Sequence, residues 1–138
     1  MFEGWHEQTY FILFDDVEAA RLTEAYGLPT FLPEYVLVGL KNWDDFIVTN
    51  AQGDTCTIPT VPAIQQYLEL YSFPKTLKNL VPDERLTGKI KWYIKPIVFG
   101  GDPQFGDNVR WISIEEHTAL VKWWNKTYRL TASSGEGV

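Results

Sequence analysis

Three short runs rich in β-branched and aromatic residues, Val36-Leu37-Val38-Gly39-Leu40, Asp45-Phe46-Ile47-Val48-Thr49 and Thr55-Cys56-Thr57-Ile58, crowd the middle of this chain. Lys41-Asn42-Trp43-Asp44 separates the first two, and the turn-forming Asn50-Ala51-Gln52-Gly53-Asp54 separates the second pair. Connections this short join antiparallel neighbours, so residues 36–58 read as an antiparallel meander that stops at Pro59. Prolines 59, 62, 74 and 82 then make any regular structure up to Gly88 short and broken, with a helical turn or two around residues 63–69. From Lys89 to Lys95, Ile90, Trp92 and Ile94 alternate with lysines and Tyr93, which predicts a strand with one buried face and one basic or polar face. Val109-Arg110-Trp111-Ile112 reads as a further short strand.

Two helices flank these strands. Asp15 or Asp16 can cap a helix through Val17–Tyr26, with Gly27 as its stop and Leu28-Pro29 barring continuation. Tyr10–Phe14 before it is a buried strand or a lead-in packed against the core; periodicity leaves both open. The last helix, from about Ile114 to Tyr128, aligns Ile114, His117, Val121, Trp124 and Tyr128 in one stripe, with Leu120 beside them and Ser113 and Glu116 as capping pair. Trp123 and Trp124 cannot both face the core, and Trp92 and Trp111 are expected inside it. The expectation is one α+β domain over residues 1–130, a mainly antiparallel or mixed sheet packed by an N-terminal and a C-terminal helix. Residues 131–138 follow as a flexible tail.

At 138 residues with 45% hydrophobic and 15% aromatic content, one core is affordable and disorder is excluded. Cys56, the lone cysteine, permits no intramolecular disulfide and suits a reducing compartment. The acidic start Met1–Glu7, expected to be mobile around His6, is no signal peptide, and no apolar run reaches bilayer length, so a cytoplasmic protein without a membrane role is expected. The net charge of −6 is concentrated in residues 1–50, where nine acids face only Arg21 and Lys41. That field disfavours nucleic acid as a partner and favours a basic protein.

The search for chemistry predicts a protein that is not an enzyme and holds no metal or cofactor. His117 lies on an apolar stripe, Glu115-Glu116-His117 lacks zinc-binding spacing, and the glycines of the 100–106 loop lack phosphate-loop spacing. Asp102, Asp107 and Asn108 do not match a calcium loop, and structural hydrogen bonding is the favoured role for Asp102 and Asn108. Cys56 reads as a small buried hydrophobe. Trp43 and Trp5, in a connection and in the acidic terminal segment, are candidates for exposed anchors.

The order of short motifs resembles the SUKH superfamily. The motifs are Tyr26-Gly27 followed by Leu28-Pro29 and Leu32-Pro33-Glu34-Tyr35, then Trp43-Asp44-Asp45-Phe46, then the Gly100-Gly101-Asp102-Pro103 loop before a short strand, a capped helix and Trp123-Trp124-Asn125. The likeness spans about Val17 to Arg129. It implies a small intracellular bacterial immunity protein, a sheet packed by helices that binds and neutralises a cognate toxin. Many such toxins are nucleases with basic substrate sites, which an acidic surface could fill. The expected contact residues are Asp15, Asp16, Glu34, Trp43, Asp44 and Asp45. The alternatives are a small-ligand or glycan-binding module that uses exposed Trp, and a homodimer closed through Trp123 or Trp43.

Overall fold

The computed structural model describes residues 1–74, 79–101 and 106–136. Its centre is a six-stranded antiparallel sheet in sequential order: β1 (Phe2–His6), β2 (Thr9–Leu13), β3 (Val36–Lys41), β4 (Asp45–Thr49), β5 (Thr55–Pro59) and the two-residue β6 (Glu69–Leu70). The meander therefore forms with the strands expected of it, and the sheet is antiparallel throughout rather than mixed. The N-terminal segment is ordered as β1, paired with β2 from Phe2↔Leu13 to His6↔Thr9, in contrast to its expected mobility. A bridge between Trp5 and Val81 closes its outer edge, which leaves fewer free backbone groups there.

Strand alternation gives the sheet two apolar faces. Tyr10, Ile12, Leu37, Leu40, Phe46, Val48, Cys56 and Ile58 face the helices and build the main core. Phe11 and Ile47 face the other way, where Leu80, Tyr71 and Phe73 cover them. A separate ribbon, β7 (Ile90–Tyr93) paired with β8 (Val109–Ile112), adds Ile90 and Trp92 to the main core. Ile94 lies beyond β7 and is exposed, contrary to the alternation that placed it inside.

Helix α1 (Asp16–Ala25) joins β2 to β3. Asp15 caps it reciprocally with Glu18: the Glu18 amide donates to Asp15 Oδ1 at 2.8 Å, and the Asp15 amide donates to Glu18 Oε1 at 3.0 Å. Thr23 fastens the helix to the sheet, its hydroxyl donating to the Ala19 carbonyl and accepting from the Leu37 amide at 2.9 Å. Gly27 stops α1 in the left-handed region (φ 75°), as expected. The chain does not then extend: Leu28–Phe31 form a one-turn helix, α2, because proline is tolerated in a first helical turn.

Helix α3 begins at Ile114, with the Glu116 amide donating to Ser113 Oγ at 3.1 Å, and continues to Glu136, past Tyr128 and through residues expected to form a loose tail. His117, Val121 and Asn125 are its buried side chains among those described, at a spacing of four. Asn125 had not stood out in the stripe. Its Oδ1 accepts from the Ala63 amide and its Nδ2 donates to the Thr60 carbonyl, both at 2.8 Å, so one buried amide fixes the loop after β5. Ile97–Phe99 form a 3-10 turn. No helix among the described residues is long and apolar enough to cross a membrane. Asn125→Ala would leave two buried backbone groups unpaired and should lower the unfolding free energy by about 2–4 kcal/mol in urea titrations.

Candidate functional site

The β3–β4 connection sets the site. Asn42 and Trp43 both adopt left-handed backbone angles (φ 50° and 60°), which a large side chain such as Trp takes only when its surroundings compel it. Two bonds compel it here. The Asn42 side chain accepts from the Tyr10 amide at 2.9 Å, and the Asn42 amide donates to the Tyr10 carbonyl at 2.7 Å. Trp43 is folded back onto Tyr10, ring centroids 4.7 Å apart and nearly parallel, with Trp5 and Trp111 edge-on to it. Trp43 is therefore only 8% exposed, which corrects its expected role as an exposed anchor. Trp5 is likewise half-buried, its Nε1 donating to Asp83 Oδ2 at 3.2 Å. The solvent-facing tryptophans are Trp111, expected in the core, and Trp123, the exposed member of its pair.

Because Trp43 turns inward, Asp44 and Asp45 project along the rim of a cleft of about 190 Å³. Its walls are Trp43 and the two aspartates on one side, Pro59–Val61 on another, and Lys91, Trp92 and Tyr93 of β7 opposite, with His117 of α3 also lining it. Lys91 Nζ donates to Asp44 Oδ2 at 2.9 Å while lying over the Tyr93 ring (5.0 Å) and the Trp43 ring (5.7 Å). The Tyr93 hydroxyl donates to the same oxygen at 3.5 Å. An ammonium is thus already held between carboxylate and aromatic faces.

Burial raises both aspartates above the usual value: Asp44 despite Lys91, and Asp45 despite the attraction of Lys41 and Lys91, with repulsion from Asp44 and Glu69 adding to the rise. Burial alone would lower Lys91, but its bonds to Asp44 and Tyr93 prevail and hold it above the ordinary lysine value. Asp45 is half-buried, and its carboxylate makes no hydrogen bond or ion pair among the described residues.

Two more polar atoms along this cleft are unmet. Among the described residues, Trp43 Nε1 and His117 Nε2 are the only buried side-chain polar atoms without a partner. His117 Nδ1 meets the Tyr26 hydroxyl at 2.5 Å. Where that hydroxyl donates, Nε2 carries the ring proton and lacks an acceptor; in the other tautomer it lacks a donor. Burial depresses the imidazole to about 3, so the ring is neutral near pH 7 and a weak base.

The six expected contact residues do not form one surface. Asp15 and Asp16 follow β2, beyond Leu13↔Gly39, and the exposed Glu34 precedes Val36, so these three lie at one end of β3. Asp44 and Asp45 lie at its other end, about 20 Å away for a six-residue strand, with Trp43 buried behind them. Sequence reasoning missed Lys91 and Tyr93, although the alternation along β7 had placed both on its polar face. Asn108 serves the backbone, its side chain accepting from the Lys95 amide (2.8 Å) and donating to the Lys95 carbonyl (3.0 Å). Gly101 packs so tightly there that a Cβ would stand 1.7 Å from the Lys95 oxygen. Asp107 is exposed, Asp102 lies outside the described residues, and no metal-holding group of His, Cys, Asp and Glu occurs among the described ones.

A carboxyl whose folded pKa is raised destabilises the fold increasingly as pH climbs from its unfolded value, near 4, through its folded value. Asp45→Asn should therefore raise the denaturant midpoint at pH 7, and the gain should vanish by about pH 3, where the wild-type group is protonated in both states. Comparison with protein families, with curated proteins and with solved structures finds no match to this chain.

Proposed function

We propose that this chain is a non-catalytic immunity protein that binds and neutralises a cognate bacterial toxin, and that the Asp44–Asp45 end of the sheet receives a basic side chain of that toxin. One observation carries the reading: Asp45 is a half-buried carboxylate with no hydrogen bond among the described residues, set in an aromatic-walled cleft. Such a group is expensive alone and is relieved by a cation. Lys91 illustrates the chemistry, since an ammonium rests there on two ring faces and a carboxylate. The acidic balance of residues 1–50 adds a long-range field that steers a basic partner and that salt weakens. The resemblance of the motifs to the SUKH superfamily supplies the biological setting.

A second reading has its own support. Trp43 Nε1 and His117 Nε2 are unmet polar atoms beside aromatic walls, a combination suited to a small polar ligand such as a sugar.

Affinity capture from the source cells, with wild-type protein and folded Asp45→Lys, separates these readings. A basic toxin domain retained by wild type and lost with Asp45→Lys, more readily lost in high salt, is the expected result. Capture that ignores the substitution, or no capture beside a saturable change in Trp fluorescence with sugars, would move the function to the ligand reading.

A further inference from the structure

Apart from the cleft, α2 and residues 122–130 of α3 enclose a groove of about 340 Å³. Phe31 and Leu130 supply its apolar surface, and Lys122, Lys126 and Arg129 line it. The spacing of these cations, four and three residues, sets them along one face of α3 over roughly 10 Å. None is ion-paired among the described residues, in a chain whose net charge is −6. The groove is built, not incidental. The Arg129 guanidinium lies 4.6 Å from the Phe31 ring centre and donates to the Thr30 carbonyl at 3.3 Å, while Gly27, at φ 75°, leaves room that a Cβ would take from Phe31 and Lys122. Leu130 is nonetheless 62% exposed, and Trp123, seven residues earlier on α3, is exposed too. Exposed apolar area beside unpaired charge marks a surface that is covered in use.

The same chain carries the complement. Val17, in the first turn of α1 directly after the cap Asp15 and Asp16, is 77% exposed, and Phe2 is exposed on the strand paired with Leu13, which leads into that turn. This is an apolar knob flanked by carboxylates; the groove is an apolar trough flanked by cations. Knob and groove lie at opposite ends of α1, since Gly27 follows its last turn, and the helix is about 15 Å long. An antiparallel pairing of two copies along α1 would seat each knob in the partner's groove. That contact is isologous and closes on itself, so it yields a dimer rather than a filament. We propose that the α2–α3 groove is the docking site for the Asp15–Val17 knob of a second copy of this chain. The surface is separate from the Asp44–Asp45 cleft and its proposal stands without the toxin reading.

Sedimentation equilibrium on the full chain tests it, with folding of each variant checked by circular dichroism. Wild type should dimerise. Lys122→Glu/Lys126→Glu and Asp16→Lys/Val17→Lys should each weaken the dimer about tenfold or more, and an equimolar mixture of the two, which swaps the charges across the contact, should restore it. A wild type that stays monomeric, a dimer indifferent to both variants, or native mass spectra of a monomer carrying a fatty acid or foreign peptide would overturn the proposal.

Discussion

The stacking of Trp43 on Tyr10 governs the cleft end of this protein. A bulky residue in the left-handed region stores about 1–3 kcal/mol of strain, and it persists because the indole is buried among Tyr10, Trp5 and Trp111. Aromatic pairs of this kind contribute about 0.5–1.5 kcal/mol each beyond their buried area. The same inversion that hides Trp43 brings Asp44 against Lys91 and Tyr93 of β7. The Thr60 amide then donates to the Asp44 carbonyl at 2.9 Å, which ties the cleft's second wall to its first.

The far wall depends on buried amides and rings of α3. Asn125 holds Thr60 and Ala63, while His117 sits edge-on to both Tyr26 and Trp92. A helix that offers polar groups to the core fixes its own rotation, because any other rotation would leave those groups and their partners unpaired. The cleft is thus held from three directions, by the β3–β4 turn, the loop after β5 and β7, each fastened to the others through the core.

Much of the scaffold was legible in the residues themselves. The three meander strands announce themselves through β-branched runs and turn chemistry, and α1 through a capping aspartate at 15 or 16 and its stop at Gly27. The site was less so. Nothing in Lys41-Asn42-Trp43-Asp44 signals a left-handed Trp, since the cause is the long-range partner Tyr10. The six acidic and aromatic contact candidates looked like one field because charge was summed along the chain, whereas β3 separates them into two ends. Lys91 and Tyr93 were visible as a polar face, but their meeting with Asp44 requires the β7–β8 ribbon to pack beside the main sheet, a tertiary fact.

That division of the acids bears on what the two ends can do. At the β3–β4 end, Asp44 is ion-paired with Lys91, whereas the Asp45 carboxylate has no ion pair among the described residues and is partly desolvated. At the α1 end the carboxylates are hydrated, and Asp15 is engaged in capping, so they offer steering and rim contacts rather than a receptacle. A partner's buried cation gains most where water has already been removed and an acceptor is free, which is Asp45 and its aromatic walls. In the proposed toxin reading, the decisive contact is therefore assigned to the Asp45 end, although more of the acidic charge lies elsewhere.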